Sequence, residues 1–317
     1  MAYYRHQLPQ LSDSIFITDG GLETVMLFQQ GWDLPDFAAF TLMDRPLGTE
    51  ALHNYFNTYG TLAKTYGMGL VLESPTWRAS ADWGSRQGYD AARLADVNRR
   101  AIALLQLTQT TYDSPHTPIV ISGCIGPRGD GYSPNDLMDA ETAEQYHQAQ
   151  INAFQNTAAD LVSAITMTYP EEAIGITRAA SKVQMPVVIS FTVETDGKLP
   201  NGTSLKEAIR IVDTATDSAP AYYMINCAHP IHFDRAILNQ GPWVERIRGI
   251  RANASMMSHA ELDEAETLDD GNPQDLGERF YLLRRQLPHL NVLGGCCGTD
   301  HRHIEAICKT CSPVLAE

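Results

Sequence analysis

Short apolar runs, many of them β-branched, recur along the chain at residues 15–18, 69–72, 118–122, 161–166, 186–191, 222–226, 249–252 and 291–293. Longer stretches with helical spacing separate and follow them, at residues 50–66, 91–112, 141–157, 171–183, 204–218, 274–286 and 302–309. Near-continuous apolar strands predict a parallel sheet buried on both faces. Several runs end in Gly, Pro, Asn or Ser, which suits turns leading into helices. Ser204 with Glu207 three residues later predicts a capping box, and Ala208, Ile209, Ile211 and Val212 supply an apolar face behind it.

Eight strand-then-helix units over 317 residues predict an α/β fold, a (β/α)8 TIM barrel forming one domain over residues 1–317. An open doubly wound sheet is the competing architecture. The absence of G-x-G-x-x-G after the first strand weakens its dinucleotide-binding version. The seventh unit carries the least apolar signal, because residues 248–254 are short and polar. A barrel puts its active site at the C-terminal ends of the strands. Those ends carry Asp19, Glu73, Ser74, Gly123, Cys124, Met167, Asn226, Cys227, Asn253 and the stretch from Gly294 to Cys297.

Composition narrows the chemistry. Apolar residues make up 44% and charged residues 19%, enough for a large core. Basic residues number 23 and acidic residues 38, a formal net charge of −15. That balance argues against a nucleic-acid reader and against docking on an anionic membrane. No apolar run approaches the roughly 20 residues that span a bilayer. Residues 1–10 lack the apolar stretch of a secretory signal, so a cytoplasmic, reducing location is expected. There the six cysteines are expected to serve metals or chemistry rather than disulfides.

Gly294-Gly295-Cys296-Cys297-Gly298-Thr299 is the most informative stretch. Adjacent side chains in a regular strand face opposite ways, so two neighbouring thiols reach one ion only if the backbone turns there. The flanking glycines tolerate such a turn. Cys227, at the end of the sixth run, could supply a third thiol. Three thiolates around zinc leave one tetrahedral position open, the mark of a catalytic site. A substrate thiol bound there would lose its proton, which points to S-alkylation. Other readings stay open. The vicinal pair could be packing or a redox pair, and Cys308 and Cys311 could join Cys296 and Cys297 in a closed four-sulfur site. As two surface thiols near the chain end, however, Cys308 and Cys311 need no function. Cys124 is expected to pack beneath the third strand end. His229 reads as loop packing, and His259, His301 and His303 as solvated or capping groups. Glu261, Asp263, Glu264 and Glu266 read as a solvated face that could overlie the pocket.

These motifs carry a family resemblance. Thr18-Asp19-Gly20-Gly21-Leu22-Glu23-Thr24, Thr76-Trp77-Arg78-Ala79-Ser80 and Gly123-Cys124-Ile125-Gly126-Pro127 resemble the opening, second-strand and third-strand motifs of the homocysteine S-methyltransferases. Ser190-Phe191 with Asp196-Gly197 and Asn201-Gly202-Thr203 is similar to the fifth, and Asn226-Cys227 with Gly294 to Thr299 to the two metal motifs. The resemblance covers residues 18–304. It implies a barrel that holds Zn²⁺ through Cys227, Cys296 and Cys297 and binds homocysteine through sulfur. It puts Asp19, Gly20, Thr76, Trp77, Met167 and Asn226 at the substrate, with Asp19 receiving the ammonium group. No catalytic residue beyond the metal site is implied. Trp77 could face a sulfonium through its ring, and Arg78 could attract a carboxylate. One departure stands out. The family's fourth strand usually ends in Glu-Thr, and Met167 takes the place of that glutamate, which helps hold the amino acid.

The expected activity is a zinc-dependent S-methyltransferase that takes a methyl group from S-methylmethionine or S-adenosylmethionine. Its expected partners are a small thiol and a methyl donor, not nucleic acid or membrane. A different thiol acceptor, or a zinc- and thiol-binding protein without transfer activity, is the alternative that Met167 motivates.

Overall fold

All eight predicted runs form strands, and all eight pair in parallel in a closed ring. The strands are β1 (Phe16–Ile17), β2 (Gly69–Glu73), β3 (Ile119–Ile125), β4 (Leu161–Met167), β5 (Val187–Thr192), β6 (Tyr222–Asn226), β7 (Ile247–Ala252) and β8 (Val292–Gly295). The principal crossover helices are α1 (Pro46–Tyr66), α2 (Ala91–Tyr112), α3 (Ala140–Gln155), α4 (Pro170–Lys182), α5 (Leu205–Thr216), α6 (Pro230–Ile237), α7 (Pro273–Gln286) and α8 (His301–Cys311). This computed structural model describes residues 1–312 apart from 136, 239 and 266. Glu266 of the predicted acidic run therefore lies outside the described residues. The architecture is the predicted (β/α)8 barrel.

The alternation of side chains along each strand sorts them into two layers. Outward residues such as Ile17, Leu72, Ile121, Val162, Ile189, Ile225 and Leu293 pack under the helices in one large apolar cluster. Inward residues at the N-terminal end form a separate apolar floor of Phe16, Val71, Val120, Leu161, Val188, Tyr222, Met224 and Val292, with Leu8 packed against it. Burying each such aliphatic side chain contributes roughly 1.5–3 kcal/mol, so these two layers hold the barrel closed.

Two residues further along the same strands, the interior turns polar. Glu73, Ser122, Ser163, Ser190, Asn226 and Arg251 are all buried. The Ser122 and Ser163 hydroxyls are 2.8 Å apart, and the Ser190 hydroxyl donates to Asn226 Oδ1 at 2.6 Å. A polar layer thus sits above an apolar floor, on the side where the strands end.

Several details depart from the sequence reading. Helix α6 has no counterpart among the predicted stretches, because it is short and starts at Pro230 with only Phe233 and Ile237 buried behind it. The capping box at Ser204 is half-formed. Ser204 Oγ accepts from the Glu207 amide, but the Glu207 carboxylate turns to Arg210 instead. Cys308 and Cys311 are not surface thiols, since both are buried in α8 with 0% and 6% exposure. Three residues apart, they share the face that α8 turns toward the core.

Candidate metal and substrate site

The three predicted thiols meet at the C-terminal mouth of the barrel. The sulfurs of Cys227, Cys296 and Cys297 all lie within 4.8 Å of one another. Cys227 and Cys296 have Cα atoms 5.4 Å apart and sulfurs in disulfide contact, while Cys297 is a free, exposed thiol. The arrangement brings together two chain segments 69 residues apart in sequence.

Local backbone explains how. Cys227 directly follows β6 and adopts a left-handed conformation with φ 53°, uncommon for a residue with a Cβ. Its amide donates to Arg251 O at 3.1 Å. Its carbonyl is held by Asn253 Nδ2 at 3.0 Å and by the His259 ring nitrogen Nε2 at 2.5 Å. Cys296 and Cys297 lie in a turn after β8 that Thr299 closes, its amide and hydroxyl both donating to Cys296 O at 3.1 and 2.7 Å. Of the flanking glycines only Gly298 uses a positive φ, 78°. Gly294 serves by its lack of a side chain, since a Cβ there would run into Thr18 Oγ1. Gly21 is similar, because a Cβ would sit 2.5 Å from Cys296 O.

The donor set fits zinc. Three soft sulfur ligands from two loops leave room for one further ligand, and Cys308 and Cys311 lie away in α8. His229 adds no ligand. Its Nδ1 accepts from the Ile231 amide and caps α6. His259 is not the solvated group expected of it. It is half-buried, bridges Cys227 O and Glu194 Oε1, and packs 4.3 Å from the Tyr132 ring. Tyr132 places its hydroxyl 3.6 Å from Cys297 Sγ, and Thr166 Oγ1 lies 3.9 Å from Cys227 Sγ. Neither residue was singled out from the sequence. Tyr132 sits in a loop without periodicity, and Thr166 reads as an ordinary strand residue.

Asn226 closes β6. Its Oδ1 accepts from the Ser190 hydroxyl and from the Thr166 amide at 3.0 Å, and its Nδ2 donates to Thr166 Oγ1 at 2.8 Å. It locks Thr166, whose φ is 69°, beside the cysteines. Thr76 is buried at the end of β2, with its hydroxyl donating to Cys124 O. Gly20 lines the same rim, its carbonyl accepting from Tyr55 Oη at 3.1 Å and Arg251 Nη2 at 3.3 Å.

Three predicted residues sit differently. Asp19 is buried and already partnered: Arg251 Nη2 lies 2.7 Å from its Oδ1 and the Tyr55 hydroxyl 3.0 Å from its Oδ2. Burial raises its pKa against the Arg251 charge and the Tyr55 hydroxyl, which lower it. Burial lowers that of Arg251, but Asp19 and Glu73 outweigh it and hold the guanidinium charged. Met167 is fully buried in the apolar layer under the helices, beyond a bulge between Ala164 and Met167. That bulge turns Met167 outward and leaves Thr166 facing the thiols. Trp77 donates its indole N–H to Ile165 O, and the Arg78 guanidinium lies 3.9 Å from its ring centroid and 3.7 Å from that of Trp83. A cation already covers one face of Trp77.

Beneath the cysteines, burial pushes the Glu73 carboxyl up to about 7, against the pull of Arg251 and the hydroxyls of Ser122 and Ser163. Glu23, at the mouth, is also pushed up to about 7, chiefly by burial. Cys124 is buried in β3 two residues beyond Ser122, so it points into the polar interior of the barrel.

Comparison with known proteins agrees in fold and extent. The sequence model described as Homocysteine S-methyltransferase matches residues 16–311. The chain is 23% identical to selenocysteine Se-methyltransferase of Brassica oleracea var. italica, over 97% of this chain and 92% of that protein. It is 24% identical to betaine–homocysteine S-methyltransferase 1 of Rattus norvegicus, over 86% and 66%. Among solved structures, the metallated form of the homocysteine methyltransferase MmuM from Escherichia coli superposes with a TM-score of 0.74 at 17% identity, covering 95% of this chain and 98% of that one. Its oxidized form superposes with a TM-score of 0.73.

Proposed function

The chain belongs to the homocysteine S-methyltransferase family and is a methyltransferase; from that premise we propose that it moves a methyl group from an onium donor to the thiol of homocysteine, giving methionine. S-methylmethionine and S-adenosylmethionine are the donors proposed. The convergence of Cys227, Cys296 and Cys297 at the strand ends carries this reading. Zinc held by those three thiolates would act as a Lewis acid that favours the thiolate form of an acceptor sulfur.

The chain's own residues set the geometry. Asn253 and His259 fix the Cys227 carbonyl, and Asn226 fixes Thr166 beside its sulfur. Tyr132 closes over Cys297. Arg78, whose Nε has no hydrogen-bond partner among the described residues, suits a carboxylate on the incoming donor. The acceptor sulfur attacks the methyl carbon in line with the bond to the onium sulfur. That bond breaks, and its electron pair leaves with a neutral sulfide. Orientation of the two sulfurs is what the barrel rim contributes to the rate.

A reducing cytoplasmic location suits ligands that must be thiolates. No described helix is long and apolar enough to cross a membrane. A second reading, another thiol as acceptor or binding without transfer, draws on Met167 and on the engagement of Asp19 by Arg251.

Methyl transfer by the reduced, zinc-loaded protein across a panel of thiols and onium donors tests the proposal. Homocysteine with one of the two sulfonium donors should turn over fastest, and absence of transfer with bound zinc and bound thiol would favour the binder. Cys227→Ser should lower both zinc content and rate sharply. Replacing Cys308 and Cys311 by Ser should leave zinc content unchanged, and the reverse pattern would move the metal to α8.

A further inference from the structure

We propose that Glu172, paired with His147, is a positioning residue that pins the loop after β3 so that Tyr132 donates a hydrogen bond to the Cys297 thiolate. This rests on the metal-site reading above and names what supports one of its three sulfurs from the side.

His147 on α3 and Glu172 on α4 face each other with Nε2 2.9 Å from Oε1, and each is 1% exposed. The two helices join the apolar layer through Ile151, Phe154, Ala173 and Ile176. A carboxylate in that setting is costly unless hydrogen bonds complete it. Two aliphatic side chains of similar volume would join the helices as well. What the carboxylate adds is a third partner, since its Oε1 also accepts from the Arg128 amide at 2.8 Å.

Arg128 lies three residues beyond the end of β3, in the loop that leads to α3. The carbonyls on either side of it, of Pro127 and Gly129, are held by Trp83 and Arg78. Glu172 takes the amide between them. The far end of the loop is held from the same place, because the Tyr169 hydroxyl at the start of α4 accepts from the Met138 amide at 3.1 Å. At the tip, Asp130 Oδ1 accepts from the amides of Tyr132 and Ser133, both at 2.8 Å. Tyr132 thereby brings its hydroxyl to 3.6 Å from Cys297 Sγ and its ring to 4.3 Å from that of His259. A metal-bound thiolate has no proton to give, so the phenol is the donor. Such a bond draws charge from the sulfur and fixes its direction. The end of β4 and the first turn of α4 thus support two sulfurs, Thr166 beside Cys227 and Glu172 through Tyr132 at Cys297.

Cobalt(II) loaded in place of zinc reports that bond, because its sulfur-to-metal charge-transfer band moves to lower energy when a donor to the sulfur is removed. Tyr132→Phe should move the band that way. Glu172→Ala should move it in the same direction, and the double variant should go no further than Tyr132→Phe alone. Glu172→Gln keeps an oxygen for the Arg128 amide and should restore the wild-type band. Amide hydrogen exchange over residues 128–133 should run about tenfold faster in Glu172→Ala than in the wild type, and at the wild-type rate in Glu172→Gln. A pair that only joins the two helices predicts an unmoved band. A wild-type band in Glu172→Ala, or a shift that adds to that of Tyr132→Phe, therefore overturns the proposal. So does unchanged loop exchange, a measurement that needs no metal. Failure to bind cobalt through sulfur would sink the metal reading and leave loop exchange to decide the anchor. Thermal melting shows which variants fold; should Glu172→Ala not fold, Glu172→Asp shortens the reach to the Arg128 amide and carries the same expectations.

Discussion

At the scale of single residues, the polar layer inside the barrel is a place where burial and charge compete. Folded Glu73 keeps its proton up to about pH 7, whereas an unfolded glutamate releases it near 4.5. The neutral form is therefore favoured by folding, and that contribution is present below the unfolded value and lost as pH rises through 7. Glu73→Gln should then be more stable than wild type at about pH 8 by roughly 2–3 kcal/mol, a difference that vanishes as pH falls toward the unfolded value. Urea unfolding of the metal-free protein at several pH values measures it; a pH-independent difference contradicts it. Met167 makes a second residue-scale test. If position 167 lined the substrate, Met167→Glu would restore a family contact. Because the side chain is buried in the apolar layer, that substitution should instead destabilise the fold by about 3 kcal/mol or more, read as a lower urea midpoint without gain in homocysteine affinity. The cysteine trio was legible because the glycine-framed vicinal pair and Cys227 both fall at predicted strand ends and match the family's two metal motifs. The partner of Asp19 was not, since Arg251 lies in the stretch whose polarity made its strand hard to see. Nor was the direction of Met167, because a bulge shifts inward and outward by one residue without a mark in the sequence.

At the scale of elements, the metal turn is held from both sides. Its C-terminal flank is α8, which Asp300 caps by accepting from the Arg302 amide at 2.9 Å. The same carboxylate takes Gln29 Nε2 at 2.8 Å and Arg302 Nε at 2.9 Å, and lies against His303. These donors hold its pKa well below the usual carboxylate range, despite burial. Asp300→Ala should cost about 1–2 kcal/mol for the cap, seen as a lower melting temperature; no loss would show that the turn is fixed by Thr299 alone. Strand existence was readable in seven units, because runs buried on both faces are apolar whichever way each residue points, and least so in the polar seventh. The short α6 was not readable, for it offers two buried apolar positions and a proline start. The pairing of Ser204 with Glu207 illustrates the limit of a motif: the spacing was right, but Arg210 competes for the carboxylate one turn on.

At the scale of the whole molecule, the order of the parts carries the function. An apolar floor closes one end of the barrel, a buried polar layer fills the middle, and three sulfurs gather at the mouth. This order follows from strands that begin apolar and end in Glu, Ser, Asn and Cys, which is why the fold and the location of the site could be read together from the chain. On the proposed function, the three thiols form an open metal site whose last ligand is the acceptor sulfur. Zinc-edge X-ray absorption on the reduced, loaded protein tests it most directly. The predicted result is three sulfur ligands alone and four with homocysteine. Four sulfurs before any thiol is added, or three that do not change when homocysteine binds, would contradict it.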